Sequence, residues 1–105
     1  MITVTFYKSG DLLTGFNISG HSGYAEEGAD IVCASVSSAA IMAANTITDI
    51  MHICAEVTVG DGLVDFKLSP DEAEKSLSIL EGLKLHLDAL SEQYTKYIKL
   101  NFSEV

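Results

Sequence analysis

One segment of this 105-residue chain gathers the residue types of nucleophilic catalysis. It reads Gly20-His21-Ser22-Gly23-Tyr24-Ala25-Glu26-Glu27-Gly28-Ala29-Asp30-Ile31-Val32-Cys33. The segment joins a strand pattern to a helix pattern and is longer than the usual two to six residues of such a connection. Cys33 falls where the helix begins. A thiol there sits in the positive end of the helix field, which favours thiolate over thiol. His21, on the same loop, can take the thiol proton and so activate the sulfur. The first-turn N–H groups lack intrahelical partners, so those of Cys33 or Ala34 could donate to a developing oxyanion. Asp30 has two open readings. It orients and charge-matches His21, completing a Cys–His–Asp set, or it only caps a helix starting at Ile31. Ser37, one turn after Cys33, lines the site or simply permits close helix packing. The plain alternatives are a buried, inert Cys33 and a surface His21.

The surrounding elements follow from hydrophobic period. Ile2, Val4 and Phe6 alternate with polar residues up to Ser9-Gly10-Asp11, and Leu12, Thr14, Phe16 and Ile18 alternate after it, predicting a hairpin over residues 1–19. A second hairpin runs from Ile53 through Ala55, Val57 and Val59, turns at Gly60-Asp61-Gly62, and leaves through Val64, Phe66 and Leu68. The last strand spans Tyr94 to Phe102. Between the hairpins, Val32, Val36, Ala39, Ala40, Ala43, Ile47 and Ile50 recur at helical spacing, predicting a helix from about Val32 to Met51. A second helix starts at Ser69-Pro70-Asp71-Glu72, with Ser at the N-cap, Pro in the first turn and Glu three residues on. Its apolar stripe runs without a break from Ala73 to Leu90. The order ββαββαβ predicts an α+β fold, an antiparallel or mixed five-stranded sheet with two helices on one face, in a single domain over 1–105.

Composition limits the function. Six Lys, no Arg and fifteen acidic residues give a net charge of −9. That balance argues against phosphate neutralisation on nucleic acid and against an anionic membrane surface, and it suits a basic partner. Residues Ile31 to Thr48 carry no charge but include three Ser, two Thr and an Asn, which reads as a buried helix of a soluble protein rather than a membrane span. No signal-peptide pattern opens the chain, so the expected location is cytoplasmic. Two cysteines are too few for a disulfide framework. A core of this size is modest, and dimerisation would extend it.

Three rival readings are weaker. Gly20-His21-Ser22-Gly23 formally matches the Gly-x-x-Gly loop of KH-type RNA-binding modules, but that loop joins helices and carries basic residues, whereas this one follows a strand and carries Glu26 and Glu27. His21, Cys33, His52 and Cys54 supply the donors of a zinc site without its ligand spacing. A redox pair of Cys33 and Cys54 lacks a Cys-x-x-Cys.

The run from Gly20 to Ser37 resembles the signature of the ribosomal-processing cysteine protease family, Prp. That pattern is Gly-His-Ala-Gly-Tyr-Ala, then Gly-x-Asp-Ile-Val-Cys-Ala-Ala-Val-Ser. This chain departs at Ser22 and Ser35, where Ala is common, two small-for-small changes expected to touch no catalytic atom. The resemblance implies a small cytosolic homodimer without metal or cofactor. It implies removal of the N-terminal extension from a basic bacterial ribosomal protein precursor, the twenty-seventh protein of the large subunit, by a cut after an aromatic residue. Carried over, Cys33 is the nucleophile and His21 the general base, with Gly20, Asp30 and Ser37 in supporting positions. A small ribosome-associated or RNA-binding module without catalysis is the alternative. Gly20, Gly23 and Gly28 would let the loop fold close to Cys33, and the loop from Gly20 to Ala29 is expected to be open until substrate orders it.

Overall fold

The computed structural model describes residues 1–23, 25 and 30–105. Glu26, Glu27 and Gly28 therefore lie outside the described residues, as do Tyr24 and Ala29, together half of the loop expected to open and close. Strands β1 (Ile2–Ser9) and β2 (Leu12–Ser19) form an antiparallel hairpin around Gly10. Strands β3 (Glu56–Gly60) and β4 (Leu63–Lys67) form the second, and β4 pairs with β2. Strand β5 (Ile98–Glu104) pairs with β1 in parallel. The sheet order is β3-β4-β2-β1-β5, so the sheet is mixed and the fold α+β.

Strand alternation sends Ile2, Val4, Phe6, Phe16, Ile18 and Phe66 to one face, where they join a single core. Register sets Phe6 opposite Phe16, and Phe16 opposite Phe66. Their ring centroids lie 6.4 Å and 5.2 Å apart, a row of aromatic contacts that ties three strands together. Helices α1 (Ile31–Asn45), α2 (Pro70–Lys75) and α3 (Leu77–Gln93) cover this face. The other face carries a polar clamp. Asp65 on β4 accepts from the Tyr7 hydroxyl at 2.5 Å and from Asn17 Nδ2 at 2.9 Å. Burial, the Asp65 bond and its charge push the Tyr7 phenol up to about 12, so it remains a donor at neutral pH. The clamp fixes β4, and with it the hairpin tip at Asp61 and Gly62.

Four details depart from the sequence expectation. The helix expected up to Met51 ends its α-helical part at Asn45 and continues as a π-helical turn over Thr46–Ile50. Thr46 and Thr48 hydroxyls donate to the carbonyls of Met42 and Ala44, which favours this loosening. The second helix breaks at buried Ser76, whose hydroxyl donates to the Glu72 carbonyl and draws the backbone to φ −102°, ψ 8°. Strand β3 starts at Glu56 rather than Ile53, because the Ile53 N–H is held by the Ile47 carbonyl. Strand β5 starts at Ile98, after a turn in which Tyr97 and Ile98 both donate to the Tyr94 carbonyl.

The uncharged run is not buried all round. The stretch Ile31–Ile50 is long and apolar enough to cross a membrane on length and composition alone. In the fold it packs on the sheet through Val32, Val36, Ala40, Ala43 and Ile47, while Ile41, Met42 and Ile50 stay exposed.

Candidate active site

The start of α1 is built around Asp30. Its extended backbone (φ −82°, ψ 103°) makes it the N-cap, and its Oδ1 accepts from the N–H groups of Val32 and Cys33, both at 3.0 Å. Its Oδ2 accepts a short hydrogen bond from the Ser22 hydroxyl. Burial pushes the Asp30 carboxyl up, but the bonds from Ser22, Cys33 and Val32 outweigh it and hold the group below the ordinary carboxylate range. Capping is thus the role the geometry gives Asp30. The carboxylate beside His21 is a different one.

That carboxylate is Asp61, at the β3–β4 turn, with Oδ1 3.8 Å from His21 Nε2. The loop carrying His21 is braced on the same turn. Gly20 N–H donates to the Gly62 carbonyl at 2.9 Å, and the His21 carbonyl accepts from the Met1 ammonium at 2.5 Å. Two glycines are needed here. Gly20 has φ +90°, and a Cβ on it would lie 2.4 Å from the Met1 carbonyl oxygen. A Cβ on Gly62 (φ +63°) would meet His21 Nε2 at 2.9 Å.

Cys33, His21 and Ser37 line one cleft of about 400 Å³ together with Gly23, Ala25, Asp30 and Ala34. The same three residues, with Gly20, rim a narrower recess of about 170 Å³ whose floor includes Ile2, Ile18, Val36 and Val64. All five residues singled out from the sequence, Gly20, His21, Asp30, Cys33 and Ser37, therefore meet at this corner. A cavity larger than this cleft lies elsewhere. It is a mainly apolar groove of about 690 Å³ between α1 and α3, lined by residues such as Met42, Leu83 and Leu90, with His86 beside serine and threonine hydroxyls but no cysteine. The Cys33 thiol, the His21 imidazole and the Asp30 carboxylate line the smaller cleft together.

Two expectations about small groups need correcting. The N–H of Cys33 is taken by Asp30 Oδ1, and that of Ala34 by the Asp30 carbonyl at 3.1 Å, so neither is free to receive an oxyanion in this conformation. Ser22, expected to touch no catalytic atom, touches two groups of the site. Its N–H donates to Cys33 Sγ at 3.4 Å, and its hydroxyl donates to Asp30. At 4% exposure it is buried between the loop and the helix. A serine replacing the family's usual alanine was the only sequence signal for it.

The rival sites are not assembled. Gly20–Gly23 follows strand β2, not a helix. Cys54 opens onto a separate cavity with Glu56, Lys67 and Glu72, away from Cys33, and both thiols are free. Among the described residues, no three His, Cys, Asp or Glu side chains converge as metal ligands.

Asp30 yields a stability prediction. A carboxyl lowered in the folded state contributes stability above its unfolded pKa, and that contribution is lost as pH falls through the folded value. Asp30→Ala should cost about 1 kcal/mol at neutral pH, the usual loss for an N-cap. The gap from the parent should narrow between neutral pH and a pH acidic enough to protonate the lowered carboxyl of the folded parent. Urea unfolding of both proteins at the two pH values checks it.

A mixed sheet under helices, with a cysteine in the first turn of α1 and a histidine on the loop before it, has the make-up of a small cysteine protease. The comparisons agree. Residues 1–99 match the family model described as Cysteine protease Prp, so the chain belongs to the Prp family and is a cysteine protease. The Bacillus subtilis (strain 168) ribosomal processing cysteine protease Prp is 26% identical over 107 residues, spanning 95% of this chain and 96% of that protein. The crystal structure of the essential Prp of Staphylococcus aureus with a covalently linked product peptide superposes with a TM-score of 0.89 at 25% identity, covering 98% of this chain and 100% of that one. The same protease with a substrate peptide gives 0.83 at 24% identity and the same coverage, a likeness of fold.

Proposed function

We propose that this chain removes the N-terminal extension of the twenty-seventh protein of the bacterial large ribosomal subunit, with Cys33 as nucleophile and His21 as general base. The observation that carries the reading is the shared cleft of Cys33 and His21 at the start of α1, in a chain of the Prp family. In the first half-reaction, His21 takes the thiol proton and the sulfur attacks the carbonyl carbon of the scissile bond. The C–N bond breaks as His21 hands that proton to the leaving amine, which becomes the new N-terminus of the mature protein. The leader stays on Cys33 as a thioester. Water, deprotonated by His21, then attacks the thioester carbonyl, the C–S bond breaks, and the leader leaves as a carboxylate. Water is the only co-reactant this balance requires.

The charge of −9 supports a basic substrate, because a net negative field speeds capture of a positive partner. Added salt should therefore lower kcat/KM for the precursor by about tenfold between low and high ionic strength, and kcat much less. Stopped assays across a salt series test this; a flat kcat/KM contradicts electrostatic capture. We assign the protease to the cytoplasm, beside the ribosome it serves, and to a homodimer. The exposed Ile41, Met42 and Ile50 and the groove between α1 and α3 support an apolar subunit contact. Sequencing the new N-terminus of the cleaved precursor tests the substrate. A single cut after an aromatic leader residue is expected; scattered cuts, or equal attack on the mature form, would contradict the assignment.

A further inference from the structure

We propose that Asp61, at the tip of the β3–β4 hairpin, is a positioning residue for the base, holding the His21 imidazole by charge over the cleft. The inference rests on the reading of His21 as base and deepens it. Three observations converge on this turn. The Asp61 carboxylate is the acidic group 3.8 Å from His21 Nε2. Gly62 leaves the space the imidazole occupies, since a Cβ there would meet Nε2 at 2.9 Å. The Gly20 N–H to Gly62 carbonyl bond ties the loop before His21 to the same turn. Asp30, the carboxylate closer in sequence, is committed to Val32, Cys33 and Ser22.

The chemistry fits the position. His21 gains a proton when Cys33 ionises, so the ring is cationic while the thiolate waits and attacks. A carboxylate beside the ring stabilises that state and limits its rotation. Both side chains are open to solvent, His21 at 59% and Asp61 at 90% exposure, so the pair is screened and its contribution is modest. The hairpin itself is held independently by the register of β4 on β2 and by the Asp65 clamp, so a change of charge at Asp61 leaves the turn in place.

Asn is close in size to Asp, and Asn-Gly is itself a favoured hairpin turn, so Asp61→Asn removes the charge and keeps the turn. The test measures kcat and KM on a fluorogenic peptide spanning the leader junction, for the parent, Asp61→Asn, Asp61→Glu, His21→Ala, and His21→Ala with Asp61→Asn. The expected result is a two- to fivefold lower kcat for Asp61→Asn, about the effect of an exposed ion pair, with KM unchanged. Asp61→Glu should recover most of it, and the deficit should shrink in molar salt, where the screening length is about 3 Å. In the His21→Ala background, Asp61→Asn should change nothing further. Parent-like kcat for Asp61→Asn, or the same loss with and without His21, overturns the role of Asp61. Parent-like turnover by His21→Ala overturns the base assignment instead, so the two failures are told apart.

Discussion

Cys33→Ala is expected to abolish peptide cleavage while the protein stays folded. Chemistry sets the loss of cleavage, and packing sets the retention of the fold. In the proposed mechanism the sulfur forms the thioester, and among the described residues the cleft holds no second thiol. Losing the attacking atom from such a unit costs about 10⁴-fold or more in kcat, and the residue left behind cannot form an acyl intermediate at all. Structurally, Cys33 is only partly buried at the edge of the core, in a first turn that Asp30 caps through the backbone. Alanine keeps both capping N–H groups and is the better helix former, so the fold should lose little. Thermal unfolding alongside a cleavage assay separates the two effects. Cys54→Ala is the matched control. That thiol is exposed in another cavity, and its loss should leave cleavage unchanged.

His21→Ala should give the second largest loss, about 10²- to 10⁴-fold in kcat, the usual span for a general base. The side chain is mostly solvent-exposed and packs against Gly62 rather than the core, so stability should hardly move. The loss should fall on both the release of the amine and the attack of water, because the same imidazole serves each proton transfer. Alkylation of Cys33 by iodoacetamide at neutral pH should slow in the variant, since the sulfur no longer has its base. A kcat within about threefold of the parent would remove His21 from the mechanism.

Much of the fold was legible because the core is one-sided. Ile2, Val4 and Phe6, and then Phe66 on β4, alternate with polar residues, and that alternation is the physical trace of a sheet with one covered face. Ser69 and Pro70 marked the start of α2 because an orphan N–H needs an acceptor at that position, and Ser69 Oγ does accept from Glu72. The break at Ser76 was not legible, since the apolar stripe from Ala73 to Leu90 runs straight through it. The hydroxyl that bends the chain there has no periodic signature. Parallel pairing of β5 with β1 was equally hidden, because strand order depends on where the helices return the chain.

The site divides along the same line. His21, Asp30 and Cys33 stood out because one loop carries all three and a helix start explains two of them. Asp30 as a cap follows from local backbone need, and the structure gives it that contact. Asp61 could not be found by spacing, because only the docking of the β3–β4 turn on the Gly20 loop brings it to His21. Ser22 was passed over as a harmless substitution. Its backbone reaches the sulfur and its hydroxyl reaches the cap, contacts that arise only when the loop folds back on α1. The buried reading of the uncharged run was half right. One stripe faces the sheet, and Ile41, Met42 and Ile50 on the other are exposed.

The most direct test of the account is the intact mass of the extended ribosomal precursor after incubation with the parent protein and, separately, with Cys33→Ala. The account predicts that the parent converts the precursor to one shorter species, lacking only the leader, and that Cys33→Ala leaves its mass unchanged. An uncut precursor with the parent, or the same shortening with Cys33→Ala, would contradict it.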